Sequence, residues 1–172
     1  MKKVLFVILF ACLLLPFGLS ACEKQPNEIK FRTLSINDNN TAYLKVDYAV
    51  DSFSFAEEVK VSGKATFTVS TDENGLNPFE GHIAPLTEGD NVLYVFQEVG
   101  DEVTGYVITI HRRYMCDVTF ATDGGSTVDA QNVEEDSFAV MPKAPEKDGY
   151  SFNGWDYDFS QAITTDTTIN AI

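Results

Sequence analysis

Apolar and polar residues alternate in short bursts from Ile29 to Arg113. Leu44, Val46, Tyr48 and Val50 alternate with Lys45, Asp47 and Ala49, and Ala65, Phe67 and Val69 alternate with Thr66 and Thr68. Val92, Tyr94 and Phe96 repeat the pattern, as do Tyr106, Ile108 and Ile110. A period of two in β-branched and aromatic residues predicts half-buried strands. Polar runs punctuate them: Asn37-Asp38-Asn39-Asn40, Asp72-Glu73-Asn74-Gly75, Glu88-Gly89-Asp90-Asn91 and Gly100-Asp101. Such residues tolerate left-handed backbone or bond their own chain, so these are turns. Strands at this spacing suggest an antiparallel sandwich. Phe31 and Leu34 fall out of phase and call for a bulge. Phe53 to Lys60 has room for one or two helical turns, and nothing beyond residue 21 shows a long helical period.

A second strand pattern opens the last third of the chain. Cys116, Val118 and Phe120 share one parity, Asp117 and Thr119 the other. Cys116 is therefore expected on the inward face of a strand, as a small hydrophobe. A nucleophilic thiol would need a base and an electropositive setting, and neither His82 nor His111 has a visible link to it. Downstream, Asp123-Gly124-Gly125 reads as a turn with positive φ. Pro142 and Pro145 keep their segment extended and outside a sheet interior. Gly149 then leads into an expected strand in which Tyr150, Phe152 and Trp155 offer large apolar area for a core, with Gly154 marking a bulge or turn.

The N-terminus differs from all of this. Met1-Lys2-Lys3 precedes an apolar run from Val4 to Leu15, then Pro16-Phe17-Gly18 and Leu19-Ser20-Ala21-Cys22. A basic start, an apolar stretch and small residues before a cut site form a secretory signal. The run falls short of the roughly 20 residues that a spanning helix needs. Ending on a cysteine resembles the lipobox of bacterial lipoproteins. That resemblance implies cleavage between Ala21 and Cys22, a diacylglyceryl group on the Cys22 thiol, and anchoring to the outer face of a bacterial membrane. Two acyl chains suffice for stable anchoring, at about 0.8 kcal/mol per buried methylene.

Two further resemblances cover the remainder. Leu86-Thr87-Glu88-Gly89-Asp90-Asn91-Val92, followed by Gly105-Tyr106-Val107-Ile108-Thr109-Ile110-His111-Arg112-Arg113, is similar to the end of bacterial cadherin-like or immunoglobulin-like sandwich modules. The spacing of Gly124-Gly125, Pro142-Lys143-Ala144-Pro145, Gly149-Tyr150-Ser151-Phe152-Asn153-Gly154-Trp155 and Asp166-Thr167-Thr168-Ile169 resembles the internalin-type B repeat, or Listeria–Bacteroides repeat. That family implies a small β-grasp-like sheet and repeats serving as spacers beside ligand-binding modules on surface proteins. The family usually runs on to an aromatic after the Thr-Ile strand, so that strand is short here or the array is longer.

The expected organisation is a signal peptide at 1–21, a lipidated tether at 22–28, a sandwich at 29–113 and a repeat module at 114–172. Six extended tether residues reach about 20 Å. The fold class is all-β: an antiparallel β-sandwich followed by a small β-grasp-like repeat module, the latter with room to be a small α+β unit.

Charge narrows the partners. The chain carries a formal charge of −14, and without Lys2 and Lys3 it has 10 basic residues against 26 acidic ones. Nucleic acid requires a basic face, so it is not an expected partner. With Cys12 in the leader and Cys22 acylated, Cys116 has no disulfide partner. No cofactor and no metal are expected. The Asn37–Asn40 turn offers oxygen ligands of the type calcium takes, but no partner acidic motif accompanies it. Glu57-Glu58, Glu134-Glu135 and Asp156/Asp158 are read as solvated acids of surface turns, not as a hydrolase pair. The chain is thus expected to be no enzyme. It is read as a surface lipoprotein for display or adhesion, its β modules acting as spacers or protein-ligand-binding units and its partner a host or cell-surface protein or glycan. The alternative is a glycan-binding lipoprotein that captures substrate for a transporter or hydrolase. A glycan site would leave aromatics exposed on one concave face; a spacer would bury them.

Overall fold

The computed structural model describes residues 26–172. The signal peptide, Ala21 and Cys22 lie outside the described residues. The described chain is almost entirely strand and loop and divides into two compact units. One takes the described residues up to Lys45 and Val50–His111; the other takes Val46–Ala49 and Arg112–Ile172.

The first unit holds three sheets. Strands β1 (Glu28–Phe31) and β4 (Val59–Ser62) pair antiparallel, as do β3 (Ser52–Ser54) and β6 (Ile83–Pro85). The largest sheet has the order β2-β8-β7-β5, from β2 (Thr41–Val46), β5 (Thr66–Ser70), β7 (Gly89–Val99) and β8 (Glu102–Arg112). The predicted Gly100-Asp101 turn joins β7 to β8. The α-helical turn, α1 (Phe55–Glu58), lies within the span where a turn or two was expected, and a 3-10 turn at Glu80–His82 precedes β6. Phe55 of α1 is fully buried beside Phe53, their rings edge to face at 4.9 Å. Val69, Leu93, Val95, Ile108 and Ile110 complete the centre of the core, all essentially without solvent contact.

Three sequence expectations change here. Along β7 the buried residues are Leu93 and Val95, while Val92 is exposed and Tyr94 and Phe96 are only partly covered. Val92 to Phe96 is continuously apolar, so period two reads equally well in either parity, and the aliphatic pair took the interior. Strand β2 stops at Val46, so Tyr48 and Val50 do not continue it. No bulge interrupts β1, whose register with β4 runs unbroken from Glu28 to Phe31. Leu34 is instead buried beyond the strand's end, on a segment held by Glu58.

The second unit is built on β9 (Met115–Ala121). β10 (Gln131–Glu134) pairs antiparallel on one side, and β11 (Thr167–Asn170) pairs parallel on the other. First and last strands lying side by side and parallel fit the expected β-grasp-like sheet. No helix occurs in this unit among the described residues, so the room left for an α+β unit is not used. The strict alternation of β9 sends Cys116 and Val118 inward, where they meet Val133, Ala139, Ile163 and Ile169. Tyr114, Phe120, Trp155, Tyr157 and Phe159 pack around that aliphatic centre without being fully buried.

Candidate functional site

Asp123 and Gly124 take positive φ of 48° and 85°, as the turn reading requires. This turn meets the Pro142–Tyr150 segment through side chains. Lys147 Nζ donates to the Asp123 carbonyl at 2.5 Å and to its carboxylate at 2.9 Å. The same ammonium sits 4.3 Å from the centre of the Tyr150 ring, a cation–π distance. Lys147 therefore ties the turn to the aromatic motif. The bond and the lysine charge hold the Asp123 carboxyl below its ordinary range, so it is ionised at neutral pH.

The motif itself departs from expectation. Residues 150–154 form no strand, and Trp155 contributes only an isolated bridge to Ala171. Tyr150 is 72% exposed and Phe152 is 37% exposed. These two are surface residues and not core. Of the three aromatics only Trp155 packs on the core, and then only partly. Its ring meets the edges of Phe120 and Phe152 at 5.2 and 5.3 Å. The reason lies in the backbone. Gly154 takes a φ of 126°, so no regular strand runs on from Phe152 into Trp155, and the two rings are placed by the loop instead. Asp156 then clamps the loop to β11, accepting from the Asn170 N–H at 2.6 Å and from its Nδ2 at 2.7 Å.

Tyr150 and Phe152 line an open cleft of about 110 Å³ with Asp123, Pro145, Lys147 and Ile172. The lining mixes exposed ring faces, a fixed ammonium and a carboxylate.

The acids set aside on sequence are not all solvated. Glu58 is only 6% exposed. Its carboxylate accepts from the Thr33 N–H at 2.7 Å, the Leu34 N–H at 2.8 Å and the Thr33 hydroxyl at 2.7 Å. Burial pushes this carboxyl up, but the bonds from Thr33, Leu34 and Arg32 outweigh it and hold the group below its ordinary value. Glu135 is likewise buried. Glu57, Asp156 and Asp158 do lie at the surface. Sequence reasoning missed Glu58 because its partners stand some 24 positions away and no local spacing announces them. Cys116 is sealed inside the second unit, and burial, with Asp166, Glu135, Asp117 and Asp136 nearby, pushes its thiol pKa up. That is the reverse of an activated nucleophile. His82 stacks on Phe67 at 4.3 Å and bonds its carbonyl, while His111 meets Asp90 at 2.6 Å. Among the described residues no group of His, Cys, Asp and Glu has the geometry to hold a metal ion.

Comparison with known proteins finds a domain match within the second unit. Residues 117–172 match the Listeria-Bacteroides repeat domain. The chain is also 31% identical over 134 residues, 74% of its length, to the "Putative Gly-rich membrane protein" of Evansella cellulosilytica. The chain spans 16% of that relative's length.

Proposed function

We propose that this chain is a non-catalytic bacterial surface lipoprotein, cut behind Ala21 and acylated at Cys22, in which a cadherin-like or immunoglobulin-like sandwich and a B-repeat module serve display or adhesion. The reading is carried by Leu19-Ser20-Ala21-Cys22 at the end of a basic-then-apolar leader. The Listeria-Bacteroides repeat at 117–172 supports it, as does the relative's name as a membrane protein. Among the described residues no helix is long and apolar enough to cross a membrane, so attachment in this reading falls to the lipid. The acidic surface keeps the modules soluble and mutually repelling when displayed densely. Cys116 and Glu58, which a catalytic reading would favour, are both committed to holding the fold.

The test is metabolic labelling with an alkyne fatty acid in a bacterial host, with protease shaving of intact cells. The wild-type chain takes up label and is shaved from the surface. Cys22→Ser abolishes the label. Label persisting on Cys22→Ser removes the anchor assignment, and a chain that resists shaving until cells are lysed removes surface display.

A further inference from the structure

We infer that the cleft of the second unit is a binding site for a neutral sugar ring stacked on Tyr150. This goes beyond the display role and rests on it only for where the sugar would be met.

An aromatic ring that is merely left over at a surface is free to turn. Tyr150 is not. Lys147 holds one face of its ring at 4.3 Å, and Lys147 is itself fixed by two bonds to Asp123. The Tyr150 N–H donates to the Lys147 carbonyl at 3.1 Å, which closes the turn that aims the ring. Phe152 is braced from behind by the Trp155 ring. These contacts favour one arrangement of the platform before any ligand arrives, which lowers the entropic cost of binding. Its residues all belong to one compact unit.

The chemistry of the lining selects the ligand class. Exposed ring faces need a flat apolar surface opposite them, while Asp123, Lys147 and the Tyr150 hydroxyl need hydroxyl partners at its rim. A pyranose offers both: axial C–H bonds on one face and hydroxyls around the edge. A nucleotide would also stack, but its phosphates meet a chain of formal charge −14. The Lys147 charge is already matched by Asp123, so no net positive charge remains to recruit an anion. A cleft of about 110 Å³ has room for several water-sized groups, which suits one sugar ring and not a folded partner. A shallow site of this kind holds a single oligosaccharide weakly, with a dissociation constant about millimolar. Copies anchored side by side would raise that through avidity.

The test uses the full chain in a detergent without sugar headgroups, titrated separately with cellotetraose, maltotetraose, mannotetraose and chitotetraose. Binding is read by saturation-transfer NMR and by the emission of Trp155, the single tryptophan, which lies 5.3 Å from Phe152. At least one probe is expected to bind saturably. Tyr150→Ala should weaken it at least tenfold, Tyr150→Phe less than threefold, and Lys147→Leu, which frees the ring, about three- to tenfold. Phe138→Ala, an exposed aromatic outside the cleft lining, should leave it within twofold. Unchanged circular dichroism shows that each variant folds, and Lys147→Leu carries the test if Tyr150→Ala does not. Failure of all four probes at tens of millimolar overturns the site. So does binding that ignores both Tyr150 and Lys147, or a Tyr150-dependent self-association in sedimentation, which would mean that a second copy covers the platform. None of these outcomes touches lipid labelling at Cys22, so the site and the anchor fail separately.

Discussion

Removing the Glu58 carboxylate should release the Arg32–Leu34 segment from the first unit. Three donors converge on that group, two of them backbone N–H groups with no strand partner of their own. Glu58→Ala leaves the buried Leu34 amide without an acceptor, and strips the Thr33 amide and hydroxyl of theirs at a more exposed position. Each buried donor so abandoned costs about 1–3 kcal/mol, part of which Thr33 recovers by turning to solvent. The expected loss is about 2–3 kcal/mol, most of it from the Leu34 amide. Glu58→Gln keeps an acceptor oxygen for the two amides and swaps the other for a donor, so it should cost about 1–2 kcal/mol.

The pH dependence gives a second handle. The folded carboxyl titrates below its ordinary value, whereas in the unfolded chain it titrates at about 4.3. Glu58 therefore contributes its full stability above the unfolded pKa, and that stability is lost as pH falls through the folded pKa. The measurement is urea unfolding of wild type, Glu58→Gln and Glu58→Ala between pH 7 and pH 3, followed by tyrosine emission and circular dichroism. The gap between wild type and Glu58→Gln should be widest near neutrality and shrink below about pH 4. A cost under about 0.5 kcal/mol for Glu58→Ala, the range of an ordinary surface substitution, would refute the bracket. A gap that widens in acid would refute the sign.

Three further outcomes follow from the second unit. In a Cys12→Ala/Cys22→Ser background, Cys116 should resist a thiol-specific reagent in native buffer and react within seconds in denaturant; equal rates would show that it is not sealed. Gly154→Ala meets no atom within 4 Å, so its cost is conformational alone, about 1–3 kcal/mol in denaturant unfolding, and a D-alanine at the same position in a semisynthetic chain should restore stability. Asp156→Ala should unclamp the 153–157 loop from Asn170 and shift Trp155 emission to the red, and the wild type should drift the same way as acid protonates Asp156, whose carboxyl is held below its ordinary value by those bonds.

What could be read from the chain depended on how strictly a segment alternated. Cys116, Asp117, Val118 and Thr119 leave one choice of face, and β9 takes it. Val92 to Phe96 leave two, and only packing decides. Asp123 and Gly124 announce their turn because few residues accept positive φ. Tyr150 and Phe152 were misplaced for a different reason. Their apolar area argued for burial, but burial requires a regular strand to aim them, and residues 150–154, between the positive-φ Gly149 and Gly154, form none. The cleft was therefore invisible: it depends on Lys147 reaching Asp123 from 24 positions away, and a lysine's long-range partner leaves no mark in spacing. The Glu58 bracket was hidden in the same way.

The small size of the second unit explains why its aromatics are available at all. A unit this small buries a modest share of its surface, and a buried lone cysteine offers it no cross-link. Its fully buried centre consists of aliphatic residues and Cys116. The loops are held instead by side chains that bond to backbone. Gln131 pairs with both the N–H and the carbonyl of Val140, Asp166 accepts from Asp117 N–H, Ser126 accepts from Glu146 N–H, and Asp156 holds Asn170. Loops fixed by polar bonds do not need their large residues inside. Tyr150 can thus stand outside a stable fold, because its position is set by Lys147 and not by packing. A module whose ordering is polar and whose exposed groups are aromatic can vary its surface rings without disturbing its core. By this reasoning Tyr150→Ala should leave unfolding free energy nearly unchanged while removing whatever the ring binds, whereas Trp155→Ala, half-buried on the core side of the same motif, should destabilise the unit by about 1–3 kcal/mol. Equal stability losses at the two positions would mean that the ring is structural after all.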